Sequence, residues 1–586
     1  MTGYVAPVRD IRFLLCDLLD VSQQLPGADL SSDIIDPILE AAATFSQEVI
    51  SPLNRSGDEA GCSMPAPGEV RTPAGFREAY QQYCEAGWTS MGCATEDGGQ
   101  DMPFVLHGLV AEIFSGANMA WTSYPGMSNA AYICLAANGD AQQRKVYLPR
   151  IASGRWAGTM CLTEPHAGTD LGLLRTRAVP NMDGSFKLTG TKIFISGGEQ
   201  DLTENIVHLV LARLPDAPPG TKGISLFVVP KFLHDDDGHL LERNPVTCGS
   251  IEHKMGIRAN STCTMNFDGA RGWLVGQAGK GLAAMFVMMN HARLGVGISA
   301  LGQMQAAYQK ALAYAEERHQ GRVGAGGVDA GPDAIIRHAD VRRMLLVQKA
   351  YVEGSRALVA WASLQHDLAH RGDAEAGERL ALVTPIVKAF VSDCAVECTS
   401  LAIQVFGGHG FIRETGVEQH LRDARIIPLY EGANGIQAMD LLGRKVLMDG
   451  GERLRLLARD IAGFIEQESG TEQLRPLLSE LGSAAKTLDM VTRQIAKSVA
   501  SDPDLVGSVA VPYLRLCGHV CLAWMWARMA AVGHAKAGSD DPVYADKIAT
   551  ARFYFACLLP EVRSLAVQIE AGSAPVMAAA LGHSNH

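Results

Sequence analysis

The feature that most limits the fold is a change of hydrophobic period partway along the chain. Up to about Arg150, and again from about Gly281, apolar residues recur at helical spacing. Between Trp156 and about Val275 they come instead in short runs, FKLTGTKIFIS, NIVHLVLARL, GISLFVV and CTMNFDG, separated by Gly, Asp and Pro. Short runs rich in Val, Ile, Phe and Thr with turn residues between them predict a sheet, and the flanks predict helices. The expected class is therefore α+β and multidomain, with an N-terminal all-α domain, a central β domain, a C-terminal helical bundle and an additional C-terminal helical domain. A chain of 586 residues exceeds what one hydrophobic core organises. The expected divisions are an N-terminal extension over 1–33 and domains over 34–155, 156–278, 279–449 and 450–586.

Within the first helical region, IIDPILEAAATFSQEVI sets Ile34, Ile38, Ala42, Phe45 and Val49 on one predicted stripe, with Asp33 as cap and Pro37 in the first turn. A Gly-rich insertion, GRVGAGGVDAGPD, interrupts the bundle, and the tail from Ser573 to His586 is expected to be loose. The longest apolar stretch, VAVPYLRLCGHVCLAWMWARMAAV, carries Arg515, His519 and Arg528, so it reads as a buried or partner-facing helix and not a membrane span. No short repeat is visible.

The formal net charge of −12 gives nucleic acid or an anionic membrane no overall attraction. The 13 cysteines are scattered, and the closest pairs, Cys394 with Cys398 and Cys517 with Cys521, have the spacing of one helix face. Without CxxC or HExxH, neither a disulfide framework nor a zinc site is expected, and a reduced, cytoplasmic setting is the reading. The N-terminal MTGYVAPVRDIRFLL has the wrong order of charge and apolar residues for a signal peptide.

Six phrases, in order, resemble the acyl-CoA dehydrogenase family: MCLTEPHAGTD, GTKIFISGG, HKMGIRANSTCTMNFDGARGWLVGQAGKG, NHARLGVGISALG, EERHQGR and QVFGGHGFIRETGVEQHLRDARIIPLYEGANGIQ. The resemblance covers residues 34 to 446. The N-terminal segment and the added C-terminal domain are similar to the long bacterial branch of that family, whose members act on fatty acyl-CoA or 3-methylmercaptopropionyl-CoA. The resemblance implies FAD as cofactor, an acyl-CoA substrate, an electron-transfer flavoprotein as acceptor, and a homodimer or higher oligomer.

The implied reaction removes hydrogen from the α and β carbons of a thioester, neither of which is acidic or polarised enough to react alone. A carboxylate must take the α proton while hydride leaves the β carbon for flavin N5, and fixed placement replaces a three-body collision. Desolvation strengthens such a carboxylate as a base. Donors to the thioester oxygen stabilise the developing enolate-like charge. Glu431, in YEG followed by a small residue, matches the base. Gly432, Ala433 and Gly435 beside it leave room for backbone and flavin, with Gly432 also on the substrate side. Some relatives carry the base just before the arginine of NHAR; that position is Ala292 here.

The resemblance further assigns the flavin to Met160, Leu162, Thr163, Gly168 and Thr169 and to Phe194, Ile195 and Ser196, with Thr163 reaching the ring edge. Arg318 and Gln320 match residues that hold the FAD pyrophosphate across a subunit boundary, and Gln404, Gly407 and Gly408 match the partner loop; an arginine fork suits phosphate oxygens. Asn290 and Arg293, with Thr169, are carried over as substrate contacts, although relatives often have Asp at the first of these. Ala433 stands where the family commonly has Thr, which removes a hydroxyl expected beside FAD. GVGISA at 295–300 satisfies GxGxxA but lies in helical periodicity, so it is not a dinucleotide loop. His166, His253 and His409 read as hydrogen-bonding scaffold, and Met285, Met288 and Met289 as helix packing. Two other readings stay open: an acyl-CoA oxidase using oxygen, and a flavin-bearing nucleic-acid-binding relative.

Overall fold

The computed structural model describes residues 3–323 and 331–579. Most of the Gly-rich insertion, at 324–330, and the last part of the tail, at 580–586, lie outside the described residues. By internal packing the chain divides into two compact units: one of Thr44–Pro103 and Ile113–Gly295, the other of Met1–Ala43, Phe104–Glu112 and Val296–His586.

The first unit holds the sheet. Strands β1 (Ser63–Ala66) and β2 (Glu69–Arg71) form a hairpin inside the region read as helical. The main strands are β3 (Trp156–Cys161), β4 (Arg177–Pro180), β5 (Phe186–Ser196), β6 (Asn205–Arg213) and β7 (Ile224–Pro230). After the small hairpin β8 (Phe232–His234) and β9 (Leu240–Arg243) come β10 (Val246–Ile251) and β11 (Thr262–Val275). The main sheet runs β10-β11-β5-β4-β6-β3, and β7 pairs with both β11 and β6, which closes β11, β5, β4, β6 and β7 into a ring. Side-chain alternation splits the interior into two cores. Val207, Leu209 and Leu211 pack with Trp156, Met285 and Met288, whereas Val210, Ala212, Phe227 and Val229 pack with Ile195, Cys263 and Phe267. Buried on both faces, β6 and β7 read as continuous apolar runs in the sequence.

The second unit is helical. Its principal elements are α1 (Val8–Arg12), α2 (Ser32–Phe45), α3 (Phe104–Asn138, of which the first residues belong here), α4 (Gly281–Glu317, from Val296 on), α5 (Ala339–His370) and α6 (Ala374–Phe406). Then follow α7 (Asn434–Met439), α8 (Leu505–Ala535) and α9 (Pro542–Phe553). GVGISA lies inside α4. Helices α4 and α8 have the length and apolarity to cross a membrane, and both are buried over most of that length. Two ionisable residues of α8 are provided for. Arg515 Nε donates to Glu561 at 2.5 Å, and His519 Nε2 lies 3.1 Å from the same carboxylate.

One helix presents a different face from the one the sequence predicts. The buried face of α2 is Ile35, Leu39 and Ala42, of which Ala42 lies on the predicted stripe while Ile35 and Leu39 replace Ile34 and Ile38, and the helix starts at Ser32, ahead of Asp33. Ile34 and Ile38 fit the same helical period, so only tertiary packing decides between the two faces. The beginning of the chain is also tied down. Arg356 on α5 grips Glu112 through Nε at 2.9 Å and Nη2 at 2.7 Å and pairs with Asp10 on α1. Lys547 on α9 pairs with the same Asp10 and with Glu353 at 2.8 Å. Burial alone would push the Asp10 carboxyl up, but Lys547 and Arg356 outweigh it and hold it at about 2.

Candidate active site

The stretch PLYEGANGIQ folds as a tight turn that delivers α7. The Asn434 N–H donates to the Pro428 carbonyl at 3.0 Å, closing the loop around Tyr430, Glu431 and Gly432. Closing so few residues requires left-handed backbone: Glu431 has φ +54° and Gly432 φ +87°. Glycine adopts this freely, whereas a residue with a side chain is held there against a cost of about 1–2 kcal/mol. Ala433, not Glu431, occupies the cap position of α7, and Glu431 is half-buried. The Tyr430 hydroxyl is pushed up beyond its usual range by burial and by the Glu431 charge.

Asn434 anchors this turn, and sequence reasoning did not single it out. Its Nδ2 reaches the Ala389 carbonyl at 3.1 Å, Ser392 Oγ at 2.9 Å and Asp393 Oδ1 at 2.7 Å, three acceptors for two hydrogens, while Lys388 Nζ donates to its Oδ1 at 2.8 Å. All four partners belong to α6, and Lys388 and Ser392 are fully buried. Gln437, also buried, donates weakly to the carbonyls of Glu431 and Gly432 at 3.4 Å. A Cβ at Gly435 would meet only open space.

In the sheet-bearing unit, Met160 is the next-to-last residue of β3, and Leu162, Thr163, Gly168 and Thr169 form the loop beyond it. This loop is pinned to β5: the Ile193 N–H donates to the Thr163 carbonyl at 2.9 Å, and the buried Lys192 Nζ donates to the Leu162 carbonyl and to Glu164 Oε1, each at 2.9 Å. Glu164 also accepts from Thr176 Oγ1 at 2.6 Å and from the Arg175 N–H at 2.7 Å. Burial raises its pKa, yet Lys192 and these donors more than reverse the effect. Two residues on from Lys192, Phe194 stands 60% exposed with φ +61°. Ile195 turns the other way into the sheet core, so only Phe194 and Ser196 of that tripeptide offer side chains outward. Asn290 is exposed, and Arg293 Nη1 donates to its Oδ1 at 3.3 Å.

In the helical unit, Arg318 and Gln320 follow the end of α4, Gln404 lies in the last turn of α6, and Gly407 and Gly408 follow its end. Tyr314 joins these two ends by stacking on Phe406 at 4.1 Å and pairing with His409 Nδ1 at 2.8 Å. Arg318 is exposed and, among the described residues, pairs with no carboxylate. The structure thus places the predicted residues in four groups: the Glu431 turn, the loop with β5, Asn290 with Arg293 on α4, and the Arg318 end. His166, 3.2 Å from the Leu173 carbonyl, acts as scaffold, and Met285 and Met288 are fully buried packing.

These residues fit FAD. An aromatic ring held out of the fold by left-handed backbone gives a flat ring system a face to rest on. An exposed guanidinium that pairs with no carboxylate among the described residues suits a pyrophosphate, and so do glycines such as Gly407 and Gly408, whose Cβ positions are open.

The chain matches the acyl-CoA dehydrogenase N-terminal, middle and C-terminal domains at residues 36–155, 159–270 and 279–447, and the acetyl-CoA dehydrogenase C-terminal-like domain at 457–580. It belongs to the acyl-CoA dehydrogenase family, whose members are oxidoreductases using FAD. It is 42% identical to the 3-methylmercaptopropionyl-CoA dehydrogenase of Ruegeria pomeroyi, over 95% of this chain and 96% of that one. It is 35% identical to a broad-specificity linear acyl-CoA dehydrogenase of Mycobacterium tuberculosis, over 97% and 98%. Two solved structures share the fold: Caenorhabditis elegans ACDH-11 in complex with C11-CoA (TM-score 0.78, 20% identity, 95% and 92% covered) and a Bacillus anthracis acyl-CoA dehydrogenase complexed with FAD (0.75, 21%, 96% and 91%).

Proposed function

We propose that this chain converts an acyl-CoA thioester to the trans-2-enoyl-CoA, with Glu431 taking the α proton. The observation that carries the reading is the Glu431 turn, a half-buried carboxylate held in left-handed backbone by a closed hydrogen-bonded loop. A carboxylate on so firmly held a backbone is suited to abstracting a proton from a carbon that is acidic only while the neighbouring bond is breaking. Bound FAD supplies the acceptor, N5, for the hydride leaving the β carbon. Phe194, Ser196, Thr163 and the Met160–Thr169 segment hold the flavin end of that cofactor. Arg318 and Gln320, with Gln404, Gly407 and Gly408 of a second copy, hold its pyrophosphate. Phe411, 86% exposed, and Ile412, 47% exposed, lie next to these glycines and support a homodimer covering that face. Asn290, Arg293 and Gly432 contact the acyl-CoA. An electron-transfer flavoprotein in the cytoplasm takes the electrons.

For the acyl group we infer 3-methylmercaptopropionyl-CoA or a linear fatty acyl-CoA, supported by the names of the relatives that match over nearly the whole chain. The test is anaerobic titration of the purified yellow protein with these thioesters. Loss of flavin absorbance with formation of the enoyl-CoA supports the reading, and a flavin that stays oxidised with every thioester contradicts it. Admitting air then separates dehydrogenase from oxidase, because peroxide formed at the turnover rate belongs only to the latter.

A further inference from the structure

The C-terminal domain reaches the Glu431 turn. Helix α8 packs against α7, the helix that the turn delivers, and against α6, to which Asn434 is bonded. At one point the packing against α6 leaves no room for a side chain on α8. A Cβ added at Gly518 would sit 2.3 Å from the Phe390 ring, and Phe390 is itself buried. Phe390 stands between the anchors of the turn: Ala389, whose carbonyl accepts from Asn434, precedes it, and Ser392 follows two positions later. One residue beyond Gly518, the His519 ring lies edge-on to Phe390 at 5.3 Å and is itself fixed by Glu561 and Tyr554. Arg515, one turn earlier on the same helix, acts electrostatically on Asp393, the third anchor of Asn434. Burial raises the pKa of that carboxyl, while Asn434, Arg515 and Lys388 counter the rise.

We propose that α8 sets the position of the Glu431 turn, with Gly518 and Asn434 as positioning residues through which the C-terminal domain holds the base on target. The path is contiguous: Gly518 to Phe390, Phe390 to its neighbours on α6, those to Asn434, and Asn434 to the turn. This inference rests on the reading of Glu431 as the base.

The experiment is rapid anaerobic mixing of holoenzyme with 3-methylmercaptopropionyl-CoA, in the parent and in Glu431→Gln, Gly518→Ala and Asn434→Ala. Flavin content, the thioester concentration for half-maximal rate, and the pH profile of the reduction rate are measured alongside. Gly518→Ala and Asn434→Ala are expected to slow flavin reduction by roughly ten- to a hundredfold, the scale on which a misplaced reacting group costs rate. FAD content and the half-maximal concentration should stay near parental. If Gly518→Ala does not fold, Phe390→Leu, which loosens the same contact with α8 instead of overfilling it, takes its place with the same expected slowing. Parental reduction rates in the folded variants, with Glu431→Gln inert, overturn the positioning role and leave the base standing. A Glu431→Gln protein that reduces as fast as the parent brings down the reading beneath it.

Discussion

Lys192 is completely buried with its ammonium 2.9 Å from Glu164, and that pair joins the loop after β3 to the strand that presents Phe194. Both ends of the pair carry residues assigned to the flavin: Leu162 and Thr163 next to Glu164, Phe194 and Ser196 after Lys192. Removing one partner strands a buried charge, so Lys192→Met should destabilise the protein by about 3–5 kcal/mol. Adding Glu164→Gln removes that charge and should restore part of the loss. Urea denaturation measures both, and release of flavin fluorescence should precede the global transition in the single variant.

Phe194 separates stability from cofactor binding. Its φ of +61° suits glycine, so Phe194→Gly should raise the stability of the apoprotein by about 1 kcal/mol, while the ring that faces solvent is lost. The expected result is a higher melting temperature without FAD and weaker FAD retention on gel filtration. A variant less stable and equally able to hold FAD would contradict the role given to the ring.

Stability should fall in mild acid because of His208. It is fully buried, bonded to Thr159 Oγ1 at 2.8 Å, and held at about 3 by burial, with Lys231 and Arg243 adding to the effect. A folded value below the ordinary 6.5 means the unfolded chain takes up a proton that the folded chain refuses. Its contribution is therefore complete above pH 6.5 and is lost as pH falls toward 3, at about 1.4 kcal/mol per pH unit. Melting temperatures between pH 7.5 and 5 should fall with at least this slope, and His208→Gln should reduce it by one proton's share, His107 and the buried His420 contributing in the same direction.

Arg356 tests whether the N-terminal segment is structural. The fork on Glu112 and Asp10 needs a planar donor, so Arg356→Lys should lower the melting temperature and expose the N-terminal residues to protease. The flavin reduction rate of the folded fraction should be unchanged. Slower reduction in fully folded protein would mean that the cluster reaches the active site.

Much of this was legible in the sequence. The change of period marks out the sheet, because β6 and β7 are buried on both faces and leave unbroken apolar runs. The YEGA turn stands out because small residues surround one carboxylate. The supports of the site were not legible. Asn434 is bonded to residues 41 to 46 positions earlier, and nothing local in ANGIQ announces a buried lysine on another helix. Lys192 in KIFIS reads as the outward polar residue of an alternating strand, yet its ammonium points inward to a carboxylate 28 residues away. Asp10 and Lys547 meet across 537 residues of sequence, so no pattern near either one predicts the pair. The change of face in α2 has the same origin, since two faces of that helix are equally apolar and only distant neighbours choose.

Transfer of the α proton to Glu431 is the central claim, and hydrogen exchange at that carbon reads it most directly. Holoenzyme is incubated in D2O with 3-methylmercaptopropionyl-CoA and no electron acceptor, and deuterium in the recovered thioester is measured by mass spectrometry. The parent should place deuterium at the α carbon, and a Glu431→Gln protein with its full complement of FAD should place almost none. Equal deuterium uptake by the two proteins would contradict the account.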